Sequence, residues 1–267
     1  MLGGLNNCFM LEPKIKFENV VKNFKTSSGD NHILGNLSFD IFAEEFVCVL
    51  GPSGCGKSTI LSLIAGLLKP SSGKVIFNSK LVERPDSSRT LVFQEYALFP
   101  WLNILDNVAF GLTTKNHGKE KPQKKAMEYL NLVGLSEYKN YPVNQVSGGM
   151  RQRVALARAL AVEPEVLLLD EPFGALDQQT RENMQNELLR LWMKTKKTVI
   201  FVTHSVDEAL KLADRILVIG GKPGKLLFDA TVAVSRPRDL KDSHLINIRN
   251  QILDNLTHPD FFMGSDI

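Results

Sequence analysis

The chain lacks any apolar run near the ~20 residues a membrane-spanning helix needs, although hydrophobic residues fill 43% of its 267 positions. A membrane connection would therefore have to come through a partner. Charge bias is also small. The net charge is +3, with Lys and Arg scattered apart from a short run near Lys119 to Lys125, which argues against nucleic acid. The three cysteines, Cys8, Cys48 and Cys55, have no metal-ligand spacing and an odd count, as expected of thiols in a reducing cytosol. Met1 to Pro13 carry no basic n-region and no cleavage-type end, so export is not expected. Internal repeats and low-complexity segments are missing too. What is left, with 23% charged residues, is an ordinary globular composition long enough for one large domain or two small ones.

Against that background one motif stands out. Gly51-Pro52-Ser53-Gly54-Cys55-Gly56-Lys57-Ser58-Thr59 satisfies G-x-x-x-x-G-K-[ST] in full. It follows an apolar strand-like run, Phe46 to Leu50, and precedes a helix-like one, Ile60 to Leu68. Glycines let backbone N–H groups curl around phosphate oxygens where a Cβ would intrude. The N-terminus of the following helix adds partial positive charge aimed at the same anion. Lys57 is expected to reach the β- and γ-phosphates and Ser58 to ligate Mg²⁺. The chain is expected to bind a nucleoside triphosphate.

The surrounding pattern predicts an α/β fold: a P-loop NTPase core with a mostly parallel sheet. Ile15 and Phe17 alternate, as do Leu37, Phe39 and Ile41, with Thr26 to Asn31 read as the turn between two antiparallel strands. Val75 and Phe77 suggest a further short strand. Strand-like runs recur at Thr90 to Phe93, Val166 to Leu169, Thr198 to Val202 and Ile216 to Ile219, the last read as the final strand. From about Ala97 to Leu160 the texture is helical, an insert in which Ala126, Leu130 and Val133 keep helical spacing and Gly134 ends the helix. Further helices are expected around Met184 to Leu191, Ala209 to Ala213 and Leu245 to Leu256.

Two acids close the strand Val166 to Leu169. Asp170 is placed to hold Mg²⁺ through water opposite Ser58, and Glu171 to polarise a water for in-line attack on the γ-phosphate. Upstream lies Val146-Ser147-Gly148-Gly149-Met150-Arg151-Gln152-Arg153, read as a flexible turn opening a helix over Val154 to Leu160 and hence a second anion site. In this order and combination the residues resemble the ABC-transporter ATPases, whose signature is a Ser-Gly-Gly-x-x-x-Arg run. The resemblance covers about Ile15 to Leu256, with the ABC-type domain over residues 13–257. Residues 1–12 form an N-terminal extension and residues 258–267 a tail.

The resemblance assigns further roles residue by residue. Ser147, Gly148 and Gly149, with Gln152, would close over the γ-phosphate held by a partner subunit. Gln94 matches the Q-loop glutamine, a Mg²⁺ and water ligand that senses the membrane partner. His204 matches the switch histidine that contacts the γ-phosphate and helps Glu171. Asp177, ending Gly174-Ala175-Leu176-Asp177, matches the D-loop and is expected at the subunit interface. Phe24 stands where the family stacks an aromatic on adenine, commonly Tyr; burial in the core is the other reading. Val146 replaces the more usual Leu with little change in volume or polarity.

The stretches Glu95 to Trp101, Asp106 to Gly111, Gly221 to Lys225 and Arg236 to Asp239 resemble the nitrate, sulfonate and taurine importer branch. The extra regulatory β domain that some sugar importers carry is not expected from the tail, which points to the same branch. The resemblance thus implies ATP and Mg²⁺ as cofactors, a second ATP-binding subunit, integral membrane permeases and indirectly an extracytoplasmic solute-binding protein. It also implies a peripheral position on the cytoplasmic face of the membrane. Phe99, Pro100 and Trp101 offer apolar surface beside the sensor Gln94, suited to a partner's helix or to packing inside the insert. The alternative from another class is a soluble ABC ATPase such as an iron–sulfur assembly factor.

Overall fold

The computed structural model describes residues 12–27, 29–113, 121–174 and 176–257. The extension up to residue 11 with Cys8, the tail at 258–267, Lys119 and Ala175 lie outside these residues. The elements run in order β1 Ile15–Thr26, β2 Gly29–Ile41, β3 Phe46–Leu50, α1 Lys57–Ala65, β4 Ser72–Phe77, β5 Lys80–Leu81 and β6 Arg89–Val92. There follow α2 Ile104–Thr113, α3 Pro122–Leu132, two short 3₁₀ turns and α4 Gly148–Ala161. The remainder is β7 Val166–Asp170, α5 Gln178–Thr195, β8 Thr198–Thr203, α6 Val206–Leu212, β9 Arg215–Gly220, β10 Lys225–Thr231 and α7 Ser243–Thr257.

Two sheets form. One is antiparallel in the order β2-β1-β4-β5, and the other has the order β10-β9-β3-β8-β7-β6. In the second, β3 pairs parallel with both β8 and β9, β7 with β8, and β6 with β7. Strands buried on both faces must be apolar throughout. That is the texture of β3 (FVCVL) and β8 (TVIFVT), buried at every position. Helix α1 lies between the sheets, where Ile60, Leu61 and Ile64 join Phe17, Leu37, Val47 and Ile219 in one core. Phe17 and Phe39 stack within that core with centroids 4.4 Å apart. The opposite face of the large sheet is covered by a second core shared by α2 to α7. The insert therefore buries its apolar stripe against the same sheet that carries the phosphate loop.

Several sequence expectations change in detail. The first hairpin is tighter than a turn over Thr26 to Asn31, because pairing continues to Thr26↔Gly29. Helix α4 begins at Gly148 rather than Val154: Ser147 caps it, its hydroxyl accepting from Met150 N at 3.3 Å. The two signature glycines thus form the first turn of the helix and not a loop before it. Ile216 to Ile219 is not the last strand, since β10 pairs antiparallel with β9. Among the described residues no helix is long and apolar enough to cross a membrane.

Candidate nucleotide site

Four neighbouring strands, β3-β8-β7-β6, end on one edge of the large sheet and set the site. Their registers align Leu50 with Thr203, Asp170 with Val202 and Val92 with Leu169. Whatever follows each strand must therefore meet at the carboxyl edge, the usual ligand crevice of open α/β sheets. After β3 comes the phosphate loop, after β8 His204, after β7 Glu171, and after β6 Gln94. Strand pairing has converted sequence distance into proximity.

The loop's shape depends on glycine at Gly56, whose φ of +97° is left-handed and whose Cβ would come within 2.4 Å of Leu34 Cδ2. Gly56 also precedes α1 directly, so the first N–H groups of that helix open into the loop. Lys57 is buried. Its ammonium donates to the carbonyls of Gly51 at 2.9 Å and Pro52 at 2.8 Å, spanning the loop's base, and lies 3.7 Å from Glu171 Oε1. Cys55 is buried within the loop, and burial pushes its thiol pKa up despite the Lys57 charge. It is a packing residue there, with little thiolate character.

Ser58 Oγ donates to Asp170 Oδ1 at 3.1 Å, bringing the two expected Mg²⁺ ligands together across 112 residues of sequence. Burial, with the adjacent Glu171 charge, pushes the Asp170 carboxyl above its usual range, while Ser58 and Lys57 act the other way. A carboxylate and a hydroxyl are hard oxygen donors of the kind Mg²⁺ takes, with phosphate oxygens completing its shell. The desolvated acid gains from an added cation, so the donor set fits that metal. Groups of three or more His, Cys, Asp or Glu able to form an all-protein metal cage are missing among the described residues.

Glu171 has a backbone φ of +42°, a strained conformation for a side chain that cannot be glycine. It is held by Glu171 N donating to Val202 O at 3.1 Å and Gly174 N donating to Glu171 O at 3.1 Å. Its Oε2 lies 2.9 Å from His204 Nδ1. An ionised carboxylate only accepts, so Nδ1 is the donor in this contact. Gln94 lies close by: a Cβ on Gly174 would sit 3.7 Å from its Nε2.

The remaining expected residues lie elsewhere in the chain. Phe24 is half-exposed in the β1–β2 hairpin, with the Lys22 ammonium 4.8 Å from its ring centroid, and it pairs with Asn31. Two residues beyond that pair, Ile33 packs over Gly56. The ring is exposed in the hairpin and is not part of the core. Asp177 caps α5, its carboxylate accepting from Thr180 N at 3.0 Å, which holds its pKa below the usual range. Gln152 requires a correction, because it is 1% exposed on α4, with its side chain inside this chain and not on the surface that a partner's nucleotide would meet. Gly149 instead packs toward α5, where a Cβ would approach Thr180 Cγ2 at 2.9 Å.

One residue with no assigned role in the sequence holds the Gln94 loop. Arg158, on α4, donates to Ala97 O at 2.7 Å and Tyr96 O at 2.8 Å, two residues with φ of +45° and +59°. Its guanidinium also lies 5.4 Å from the Phe99 ring centroid.

A family model described as ABC transporter matches residues 34–174. The chain belongs to the ABC transporter family. It is 43% identical over 253 residues to a taurine import ATP-binding protein of Pelagibacter ubique, covering 91% of this chain and 96% of that one. It is 42% identical over 252 residues to a bicarbonate transport ATP-binding protein of Synechocystis, covering 91% and 88%. Among solved structures, a dimeric ATP-binding cassette in a post-hydrolysis state bound to ADP and Pi matches with a TM-score of 0.74 and 35% identity, over 83% of this chain and all of that one. The cassette described above is accordingly an ATP-binding subunit and an ATPase, with its phosphate loop and two acids on one sheet edge.

Proposed function

We propose that this ATPase energises uptake of a small solute of the nitrate, sulfonate or taurine class through separate membrane permeases, from the cytoplasmic face of the membrane. The taurine and bicarbonate relatives support that class of cargo. The observation that carries the reading is the surface beside the nucleotide sensor. A groove of about 360 Å³ is lined by Phe93, Phe99, Phe110, Ala155, Arg158 and Val162, with little polar lining. Next to the groove residue Phe99, Trp101 is 75% exposed, its ring centroid 5.5 Å from that of Phe99. Large aromatic surface left in water next to an apolar groove marks a site for a partner's helix. Trp101 therefore favours docking over packing within the insert.

In this reading two copies bind two ATP molecules, each between the phosphate loop of one copy and the Ser147–Gly149 helix start of the other, an isologous arrangement. Gly51 to Thr59 cradle the phosphates and Lys57 neutralises their charge. Phe24 stacks on the base. Ser58, Asp170 and Gln94 would hold Mg²⁺, which when bound spreads the phosphate charge during transfer. Glu171 takes the proton of the attacking water, and His204 holds the Glu171 carboxylate in place through Nδ1, leaving its other nitrogen for the γ-phosphate. Closure of the dimer moves the permeases; hydrolysis and product release reopen it. The test is affinity purification of the Glu171→Gln chain from detergent-solubilised membranes with ATP. Recovery of a multi-span subunit supports the reading, and recovery from the soluble fraction with a soluble partner or none replaces it with an assembly-factor role.

A further inference from the structure

We infer that Arg181 and Glu208 form a brace that sets the distance between Glu171 and His204, making both positioning residues for hydrolysis. The inference rests on the roles proposed above for that pair. Glu171 and His204 lie on loops after different strands, so their 2.9 Å contact needs the two loops fixed relative to each other. The structure supplies a continuous polar path that does so.

On the His204 side, Ser205 caps α6 with its hydroxyl, accepting from Glu208 N at 3.3 Å. The run Ser205-Val206-Asp207-Glu208 is a capping-box sequence, in which the acid would ordinarily return to the cap residue's own N–H. Here it does not. Glu208 Oε2 accepts instead from Thr203 Oγ1 at 2.6 Å, and the Thr203 hydroxyl oxygen in turn accepts from Ser205 N at 3.0 Å. The backbone is thus clasped on both sides of His204 by one carboxylate and one hydroxyl. Thr203 is 2% exposed, so its hydroxyl has little access to water as a substitute partner.

The other oxygen of Glu208 faces α5. Oε1 accepts from Gln185 Nε2 at 3.1 Å, and Arg181 Nε lies 3.9 Å away. Arg181 then turns back to the loop after Glu171, donating from Nε to Phe173 O at 3.3 Å and from Nη2 to Leu176 O at 2.9 Å. A simple helix cap would need none of this, since neither Gln185 nor Arg181 is part of α6. The arrangement instead ties both catalytic loops to one helix, α5, whose own start follows Asp177. Breaking either end leaves Glu171 in place but loosens its partner, and a misplacement of about 1 Å can cost on the order of 10²-fold in rate.

The experiment is steady-state hydrolysis, ATP affinity and thermal midpoint for the full chain carrying Arg181→Ala, Glu208→Ala or both, with Arg181→Lys, Glu208→Gln and Glu171→Gln alongside. The brace predicts that kcat falls about 10–100-fold in each alanine variant. It also predicts ATP affinity within about 2-fold, and a double variant no slower than the slower single. Glu208→Gln, which keeps an acceptor for Thr203, should recover part of the rate. A wild-type kcat in folded Arg181→Ala would overturn the proposal, as would losses that multiply or affinity that falls in step with kcat. Should the alanine variants not fold, Arg181→Lys and Glu208→Gln decide by the same kcat-against-affinity split. If Glu171→Gln is inactive while both brace variants are normal, the brace alone fails. If Glu171→Gln hydrolyses normally, the catalytic reading fails and the brace with it.

Discussion

His204 Nδ1 and Glu171 Oε2 lie 2.9 Å apart at the ends of two adjacent parallel strands, joining a ring and a carboxylate 33 residues apart in sequence. The contact orients the carboxylate, and Glu171's strained backbone puts that side chain where a standard helical or extended residue would not. Removing the charge while keeping the shape should therefore isolate its chemical role. Glu171→Gln is expected to slow hydrolysis by about 10²–10⁴ with ATP binding preserved, and to trap an ATP-bound dimer. Single-turnover hydrolysis and size-exclusion with ATP check both; a near-wild-type rate would remove Glu171 as the base.

Much of this site is legible in the sequence. The phosphate loop, Asp170, Glu171 and His204 each follow an apolar strand, and a parallel sheet must bring such strand ends to one edge. What was hidden depends on contacts that leave no local pattern. Arg158 reaches the Gln94 loop across about 60 residues, and its fork is spent on backbone carbonyls that any residue would offer. The Arg181–Glu208 path was hidden behind a capping-box sequence that predicts a purely local bond. Strand β10 escaped because it is an edge strand: Asp229 sits on its exposed side, paired with Arg215, and apolar Leu227 faces partly outward, blurring the alternation. The buried position of Gln152 is not legible either, because adjacency to the signature glycines says nothing about which face of α4 a residue occupies.

Asp170 supplies a test with a definite sign. Its folded-state pKa is raised, chiefly by burial, so the folded chain keeps that proton to higher pH than the unfolded chain does. Stability then falls as pH rises from the ordinary carboxylate range through the raised value, and the loss persists at neutral pH. Asp170→Asn removes this cost. In EDTA without nucleotide, its thermal midpoint should rise by about 1–3 °C at pH 7, with the gain vanishing below about pH 4. The same variant should lose Mg²⁺-dependent stabilisation by ATP. A lower midpoint at pH 7 would show that the Ser58 contact outweighs desolvation.

Lys57 is buried and donates to two loop carbonyls, so it contributes a positive charge with little access to bulk water. Lys57→Ala should weaken ATP binding by about 10–100-fold, the loss of one charge-assisted contact. AMP, which lacks the distal phosphates, should show no comparable change if it binds at all. Equilibrium titration with the two nucleotides separates a phosphate contact from general damage to the loop.

Arg158 holds Tyr96 and Ala97 in left-handed backbone conformations that neither favours alone. Arg158→Ala leaves both carbonyls without this donor, and the expected cost is about 2–3 kcal/mol, or roughly 5–10 °C in thermal midpoint. Lysine can supply the charge but not the planar fork. Arg158→Lys should therefore recover less than half of the loss. Full recovery by lysine would mean that charge alone, not geometry, holds the loop.

Trp101 differs from all of these because it touches neither the phosphate loop nor the acids. Its ring rests beside Phe99, which packs on Phe110 with centroids 4.3 Å apart, and most of its surface is in water. Truncating it removes apolar area that only a partner would bury. Trp101→Ala should leave hydrolysis by the isolated chain within about 2-fold, since exposed positions away from a site rarely matter more. In vesicles containing the permeases, the same variant should lose most solute uptake, because buried Trp anchors carry a large share of interface energy. The decisive comparison is the ratio of uptake to hydrolysis. A ratio that collapses assigns Trp101 to coupling, whereas parallel loss of both activities in a folded chain would return it to the packing of the insert.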